Sequence, residues 1–436
     1  MIPSVRVALT PPFVRDQLWR RARSVPSLSL QFAKNRTLID TISGQNLITA
    51  TRPSDATVVN AAGLVETVGS NVARFTHDPV TLESLGLLVE EQRTNLALRS
   101  EEFDSASWIK INGSVTANAT VAPNGATTAD KFVENTANGA HIAANETASV
   151  TSGVSYTLSV FVKAAERTWV ALFGSGTPFG TTAFYVNLAT GAVGSSVGSP
   201  SNIVVQRFPD GWFRISCSMT AASTGAAGLQ VRPATGDGGQ IYQGDGTSGL
   251  FAWGAQLEAG SFVTSYIPTA GTTITRAADA VSITGANFSR WYRQDEGVFY
   301  GEAFNAISPI GGAARRLFEV NNTTEAERLF CGFNGTTTIQ TLMQDDNVIQ
   351  TNFVQTVAAP VSIAKIAVGY KTNDTASSVN GGAVSSDATC TIPTPTQMTI
   401  GMSTSGGNST INAPIRRIEF WPRRLDNSIL QQISAP

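Results

Sequence analysis

Ser155-Tyr-Thr-Leu-Ser-Val-Phe-Val-Lys163 decides how this chain is read. Tyr156, Leu158, Val160 and Val162 alternate with Ser155, Thr157, Ser159, Phe161 and Lys163. That is the period of a half-buried strand, because successive side chains leave a pleated backbone on opposite sides. The pattern continues outward in Thr168-Trp-Val-Ala-Leu-Phe173, Ala183-Phe-Tyr-Val-Asn-Leu188, Trp212 to Met219 and Gly249 to Leu257. Gly, Pro and Asp-Gly sites fall between these runs at the spacing of a β-sandwich. Residues 96–275 are therefore expected to form one sandwich, and Trp212 and Trp253 lie in strands apolar enough to be core.

Composition agrees with this reading. A chain of 436 residues exceeds one ordinary core and predicts two or three domains. Hydrophobic residues make up 42% and charged residues only 14%, so the domains fold and their surfaces are dominated by uncharged polar groups. That polar share is carried by Thr, Ser, Asn and 39 glycines, which favour strands and turns. A net charge of −2 offers no general attraction for nucleic acid. No apolar run approaches the ~20 residues of a membrane-spanning helix, and no signal-peptide stretch opens the chain. Assembly in a cytoplasm without membrane insertion is the expectation. Cys217, Cys331 and Cys390 lie far apart; Cys217 reads as a buried thiol, and a bridge between Cys331 and Cys390 is disfavoured by a reducing compartment.

Four segments follow along the chain. Residues 1–26 read as an arm in which Thr10-Pro-Pro-Phe opens a basic helix. Arg15, Arg20, Arg21 and Arg23 supply its charge, and Leu18 and Trp19 its apolar contacts. Residues 27–95 read as short strands broken by turns, a small β segment leading into the first sandwich. Residues 96–275 are the sandwich already described. After a short linker, residues 295–436 form a second one, opened by Gly297-Val-Phe-Tyr-Gly-Glu-Ala-Phe304 and closed by Ile415-Arg-Arg-Ile-Glu-Phe-Trp-Pro-Arg-Arg-Leu425. Ala364 to Lys371 followed by Val379-Asn-Gly-Gly382 reads there as a strand and hairpin turn. The fold class is all-β, two tandem jelly-roll or β-sandwich domains behind a helical arm and a small β segment.

Three phrases carry a resemblance: Trp253-Gly-Ala-Gln-Leu-Glu-Ala-Gly-Ser-Phe-Val-Thr-Ser-Tyr-Ile-Pro-Thr269, Leu87-Leu-Val-Glu-Glu-Gln-Arg-Thr-Asn-Leu96 and Trp108-Ile-Lys110. Together they resemble modular surface proteins of tailed bacteriophages, over most of residues 74–436. Those proteins join a carbohydrate-binding-module-like jelly roll to a concanavalin A/laminin G-like sandwich. The resemblance implies a virion surface component, a tail fibre or head spike, released by lysis without an export signal. A homo-oligomer, a trimer first and a pentamer next, is expected, because isolated sandwich modules bind single sugars weakly and repeated copies raise avidity. The resemblance does not name the ligand; sugar recognition is the natural chemistry of such domains, so host cell-surface polysaccharide is the expected ligand, and the basic arm reads either as a solvated helix or as an anchor on another virion protein. A decoration or adaptor protein with no glycan affinity is the alternative.

Catalytic signals are thin. His77 and His141 are the two histidines, and neither lies in a nucleophile or metal motif; His77, before Asp78-Pro79, reads as a turn residue. Glycoside cleavage needs two carboxylates at a defined separation. The acids of the last domain, Glu302, Glu319, Glu325, Glu327, Asp345, Asp346 and Glu419, are scattered, so a capsule-degrading glycosidase is the weaker reading and a non-enzyme the stronger. Sugar recognition needs an exposed aromatic face flanked by planar polar groups, because a pyranose stacks its apolar face while its hydroxyls take hydrogen bonds. Trp169, at a strand start, and Tyr242, in Gly236-Asp-Gly-Gly-Gln-Ile-Tyr-Gln-Gly-Asp-Gly246, are the candidates, with Trp291, Tyr292 and Tyr370 weaker. Asp237 and Asp245 of the same stretch either form turns or join in binding sugar or a calcium ion, which accepts such oxygen ligands.

Overall fold

The computed structural model describes residues 17–304, 314–335, 337–357, 363–404 and 409–436. Eight strands build the first sandwich, in chain order Ala129–Glu134, Ile142–Val150, Ser155–Ala164, Trp169–Ser175, Ala183–Asn187, Trp212–Thr220, Gly225–Ala234 and Gly249–Ala259. One sheet runs first, eighth, third, sixth and the other second, seventh, fourth, fifth, which is the jelly-roll order. All pairings are antiparallel, and two further short strands extend each sheet. Tyr156, Leu158, Val160 and Val162 enter the core between the sheets, where they join Val170, Leu172, Phe184 and Val186. Cys217 lies in the same core, and all three cysteines are free thiols.

Phe161, on the opposite register, joins a second apolar group on the outer face with Trp212, Trp253 and Tyr266. Trp253 reaches that face by alternation, and a bulge follows it. Leu250 and Ala252 point into the core before it, and Ala255 and Leu257 after it, so the parity of the strand changes once. Gly254 sits at the change with φ of +62°, where the pairing with Ser155–Ala164 also shifts register. A Cβ there would lie 2.9 Å from Phe161 as well as in a left-handed backbone.

The second sandwich is assembled from both ends of the chain. Ala413–Trp421 lies between Glu296–Phe304 and Ser84–Val89 in one sheet, Phe75–His77 forms that sheet's edge, and Leu28–Leu30 also pairs with Ala413–Trp421. Thr49–Thr51 pairs with Ala280–Thr284 at one edge of the other sheet. Residues 27–95 thus contribute four strands to the last sandwich, which corrects the expectation that they lead into the first. The jelly roll is inserted between these two parts through a neck, Arg93–Asn95 paired with Ile274–Arg276. His77, expected in a turn, ends a strand and is buried, its Nδ1 3.2 Å from the Val59 carbonyl.

The helical arm is likewise part of the fold. Gln17–Ala22 is helical, and Leu18 and Ala22 pack on Trp421, Ile429, Leu430 and Ile433, the last three from the C-terminal helix Asn427–Ser434. Trp19 Nε1 donates to the Glu419 carboxylate at 3.0 Å. Leu18 and Trp19 therefore turn inward, a correction to their reading as outward anchoring contacts; their apolar surface is covered by the chain's own C-terminus. Arg21 donates to the Gln432 carbonyl, Arg20 and Arg23 are exposed, and Arg15 lies outside the described residues.

Buried charges tie the insert to the frame. Arg74 donates to Glu90 at 2.7 Å, to Ser265 Oγ at 2.9 Å and to the Asp279 carboxylate. Asp279 also accepts from Arg52 at 3.1 Å and from the Glu90 amide at 2.9 Å. Burial alone would raise the Glu90 carboxyl, but Arg276, Arg74 and the Ser265 donors outweigh it and hold it far below its ordinary value of 4.5. A carboxyl depressed on folding contributes stability above its unfolded pKa and loses it as pH falls through the folded one. Glu90→Gln should cost about 3–5 kcal/mol at pH 7, since it leaves two buried guanidinium groups short of a partner. Urea unfolding from pH 7 downward checks this: the gap between wild type and variant narrows once pH passes below 4.5. An unchanged gap would contradict the assignment.

Candidate functional site

The strand Trp169–Ser175 divides its side chains between two environments. Val170 and Leu172 face the core, while Ala171 and Phe173 join Ala183, Tyr185 and Ala234 in an apolar floor on the outer face of the sheet, with Trp169 packed at its margin. The neighbouring strand Gly225–Ala234 places Gln230 and Arg232 on that face by the same alternation. The Arg232 guanidinium carbon lies over the Phe173 ring, 3.8 Å from its centre. Its Nε donates to Gln230 Oε1 at 2.8 Å, Nη2 reaches the same oxygen, and Nη1 donates to Gln240 Oε1 at 2.5 Å. Gln230 Nε2 donates in turn to Ser175 Oγ at 2.8 Å, and Ser175 to the Glu146 carboxylate.

Gln230, Arg232 and Gln240 border an open cavity of about 520 Å³, whose walls also include Phe173, Thr177 and Thr181. The Tyr185 hydroxyl is held above its ordinary pKa by burial and remains a neutral donor. At the margin, Asp237 Oδ1 accepts from the amide and the hydroxyl of Ser195, both at 2.8 Å. Gly194 permits the approach of two side chains there: a Cβ on it would lie 2.4 Å from Asp237 and 2.8 Å from Trp169. Two sequence candidates, Trp169 and Asp237, are thus brought together beside the floor. Phe173, Tyr185, Gln230, Arg232 and Gln240 escaped the sequence reading, although Leu229-Gln-Val-Arg232 carries the polar–apolar alternation that would have placed two of them.

Tyr242 and Asp245 belong to a different group. The Tyr242 hydroxyl donates to Glu134 at 2.7 Å, and its ring sits against Arg167 at 5.0 Å and His141 at 4.6 Å. Arg167 pairs with Glu134 through two nitrogens. Burial raises the Glu134 carboxyl, but the Arg167 and Tyr242 hydrogen bonds outweigh it and hold it low. Tyr242 is a half-buried structural residue and not the open stacking surface expected of it, because its ring packs against Arg167 and His141 and its hydroxyl is bonded to Glu134. Asp245 accepts from the Thr247 and Ser248 amides at 2.8 and 2.7 Å, closing a turn. Asp237 and Asp245 share no hydrogen-bond partner, and among the described residues no three His, Cys, Asp or Glu side chains are grouped as metal ligands. Asp237 is engaged with Ser195, and Asp245 with its own turn.

In the second sandwich, Trp291, Tyr370 and Trp421 are buried and Tyr292 is stacked on Phe288, so none offers a sugar platform. Four of its acids pair with separate arginines, Glu319 with Arg316, Glu419 with Arg417, Glu302 with Arg416 and Glu325 with Arg328, while Glu327 meets Asp345 and the Asp346 amide.

No family model matches this chain, and no curated protein does. Solved structures give loose superpositions. The Ruminococcus gnavus IT-sialidase CBM40 bound to α2,3-sialyllactose is 10% identical, with a TM-score of 0.29 over 33% of this chain and 84% of that one. The binding domain of botulinum neurotoxin DC in complex with rat synaptotagmin II is 10% identical, with a TM-score of 0.28 over 36% of this chain and 40% of that one. Trypanosoma rangeli sialidase is 8% identical, with a TM-score of 0.29 over 74% of this chain and 62% of that one. Superpositions this loose carry no functional argument.

The Tyr242 geometry has a measurable consequence. Tyr242→Phe should lower unfolding stability by about 1–3 kcal/mol, the range for a hydrogen bond to a charged group. A chemical-denaturation midpoint equal to that of wild type would return Tyr242 to the exposed surface.

Proposed function

We propose that the chain binds saccharide without cleaving it, on the outer face of the jelly roll. The observation that carries this reading is the open cavity beside Phe173, bordered by planar amide and guanidinium groups. Such groups supply in-plane donors and acceptors for ring hydroxyls, and a partly exposed indole at the margin supplies a stacking surface. No carboxylate is among the groups bordering the cavity, whereas glycoside cleavage needs two acids flanking one bond. Trp169, Gln230, Arg232 and Gln240 are the contact residues on this reading, and Asp237 holds the margin.

The wider setting rests on the sequence resemblance. The protein is a virion surface component, a tail fibre or head spike assembled in a bacterial cytoplasm, whose ligand is host cell-surface polysaccharide. A trimer, or next a pentamer, suits a shallow site, because repeated copies raise avidity by ~10² or more. Arg20 and Arg23, exposed on the N-terminal helix and the turn after it, are the described residues of the arm left to meet an acidic virion partner.

Trp169→Ala should weaken glycan binding at least tenfold, about 1.4 kcal/mol, while the variant remains folded. Titration of the full chain with fragments of bacterial surface polysaccharide measures it. Equal affinity of variant and wild type would place the site elsewhere; absence of any binding by wild type would favour the purely structural decoration reading.

A further inference from the structure

We infer that the saccharide taken by this face is acidic, its negative group seated on Arg232. This rests on the binding reading above and adds the ligand's charge.

The argument is one of charge balance. Buried arginines elsewhere in the chain meet a carboxylate: Arg52 and Arg74 meet Asp279, Arg93 and Arg315 meet Glu91, and Arg316 meets Glu319. Arg214 lacks a direct ion pair but is fully buried within the field of Glu258 and Glu90. Arg232 differs from all of them. Its three hydrogen bonds end on the amide oxygens of Gln230 and Gln240, which are neutral. Among the described residues no carboxylate is paired with it, and burial disfavours its charged form. A partly buried cation held in place by neutral acceptors is a fixed, uncompensated charge, and that favours an anion.

Geometry agrees with charge. A guanidinium has five N–H donors, and Arg232 commits three, leaving two for a ligand. Two donors on one planar group match two oxygens of a carboxylate. The Phe173 ring beneath and the two glutamines beside it fix the plane, so little conformational freedom is lost on binding. The acids of the same face stand away from this point. Glu146 is reached from Arg232 through Gln230 and Ser175, and Asp237 is turned to Ser195. An acidic sugar is therefore drawn to the middle of the face, with its neutral neighbours in the chain extending toward either margin.

The test uses uronic-acid-containing oligosaccharides from bacterial surface polysaccharides, each beside its carboxyl-reduced neutral counterpart, titrated against the full-length protein. Wild type is expected to bind the acidic member at least tenfold more tightly, with a difference that shrinks as salt rises. Arg232→Gln should erase the difference. Gln240→Glu, which keeps the arginine but sets a carboxylate against it, should erase it too, so the result does not depend on one variant's folding. Equal binding of acidic and reduced forms by wild type overturns the inference and leaves saccharide binding standing. Retained discrimination in both variants also overturns it. No binding of either form, or of any neutral glycan, removes the underlying reading together with it.

Discussion

Arg74 is held between Glu90 and Asp279 with no side-chain exposure, and most of the architecture depends on that arrangement. The two acids come from either side of the inserted jelly roll in sequence, and Ser265, which caps Glu90, comes from the arm that leaves its last strand. Three stretches of chain are thus fixed to one guanidinium. Because a buried ion pair is costly when one partner is missing, the three stretches must arrive together or the charges stay in water. That condition gives the insert one orientation on its frame. The neck strands Arg93–Asn95 and Ile274–Arg276 supply the hydrogen-bonded hinge, and the charges lock it.

Fixing the jelly roll by one of its sheets leaves the other free. The sheet carrying Phe161, Trp212 and Trp253 is covered by the hairpin Ala56–Val59 and Val65–Val68, with Val65 packed against its aromatic group. The sheet carrying Phe173, Tyr185 and Arg232 faces away from this contact and keeps an open cavity. The proposed binding surface is thus what remains after the neck and the hairpin have claimed the other face. The same logic explains why Leu18 and Trp19 are unavailable as anchors: the C-terminal helix needs an apolar cover, and the N-terminal helix supplies it.

Local pattern determines much of this protein without any structure. The alternation in Ser155–Lys163 separates core from outer face correctly down to Phe161, and Asn380 and Gly381 adopt the left-handed turn that Val379-Asn-Gly-Gly382 announces. Those features depend on neighbours one to four residues apart, so composition and period suffice to read them. Trp253 was legible as core, whereas the bulge at Gly254 that returns Ala255 and Leu257 to the inner core was not, since a glycine in a strand has several uses.

Pairing over long separations is a different matter. Leu28 to Leu30 lies beside Ile418 to Phe420, and nothing in either short apolar run names the other, because many runs of the chain would satisfy the same hydrogen bonds. The assignment of residues 27–95 to the second sandwich, the inward turn of Trp19 and the engagement of Tyr242 by Glu134 and Arg167 all follow from such distant meetings. The site has the same origin. Trp169 and Asp237 could be singled out by residue type, but Arg232 becomes a candidate only when Gln230 and Gln240 are seen to hold it and no acid to balance it. A sequence records which charges a chain carries; whether a given charge is compensated depends on which side chains the fold brings within a few ångströms of it.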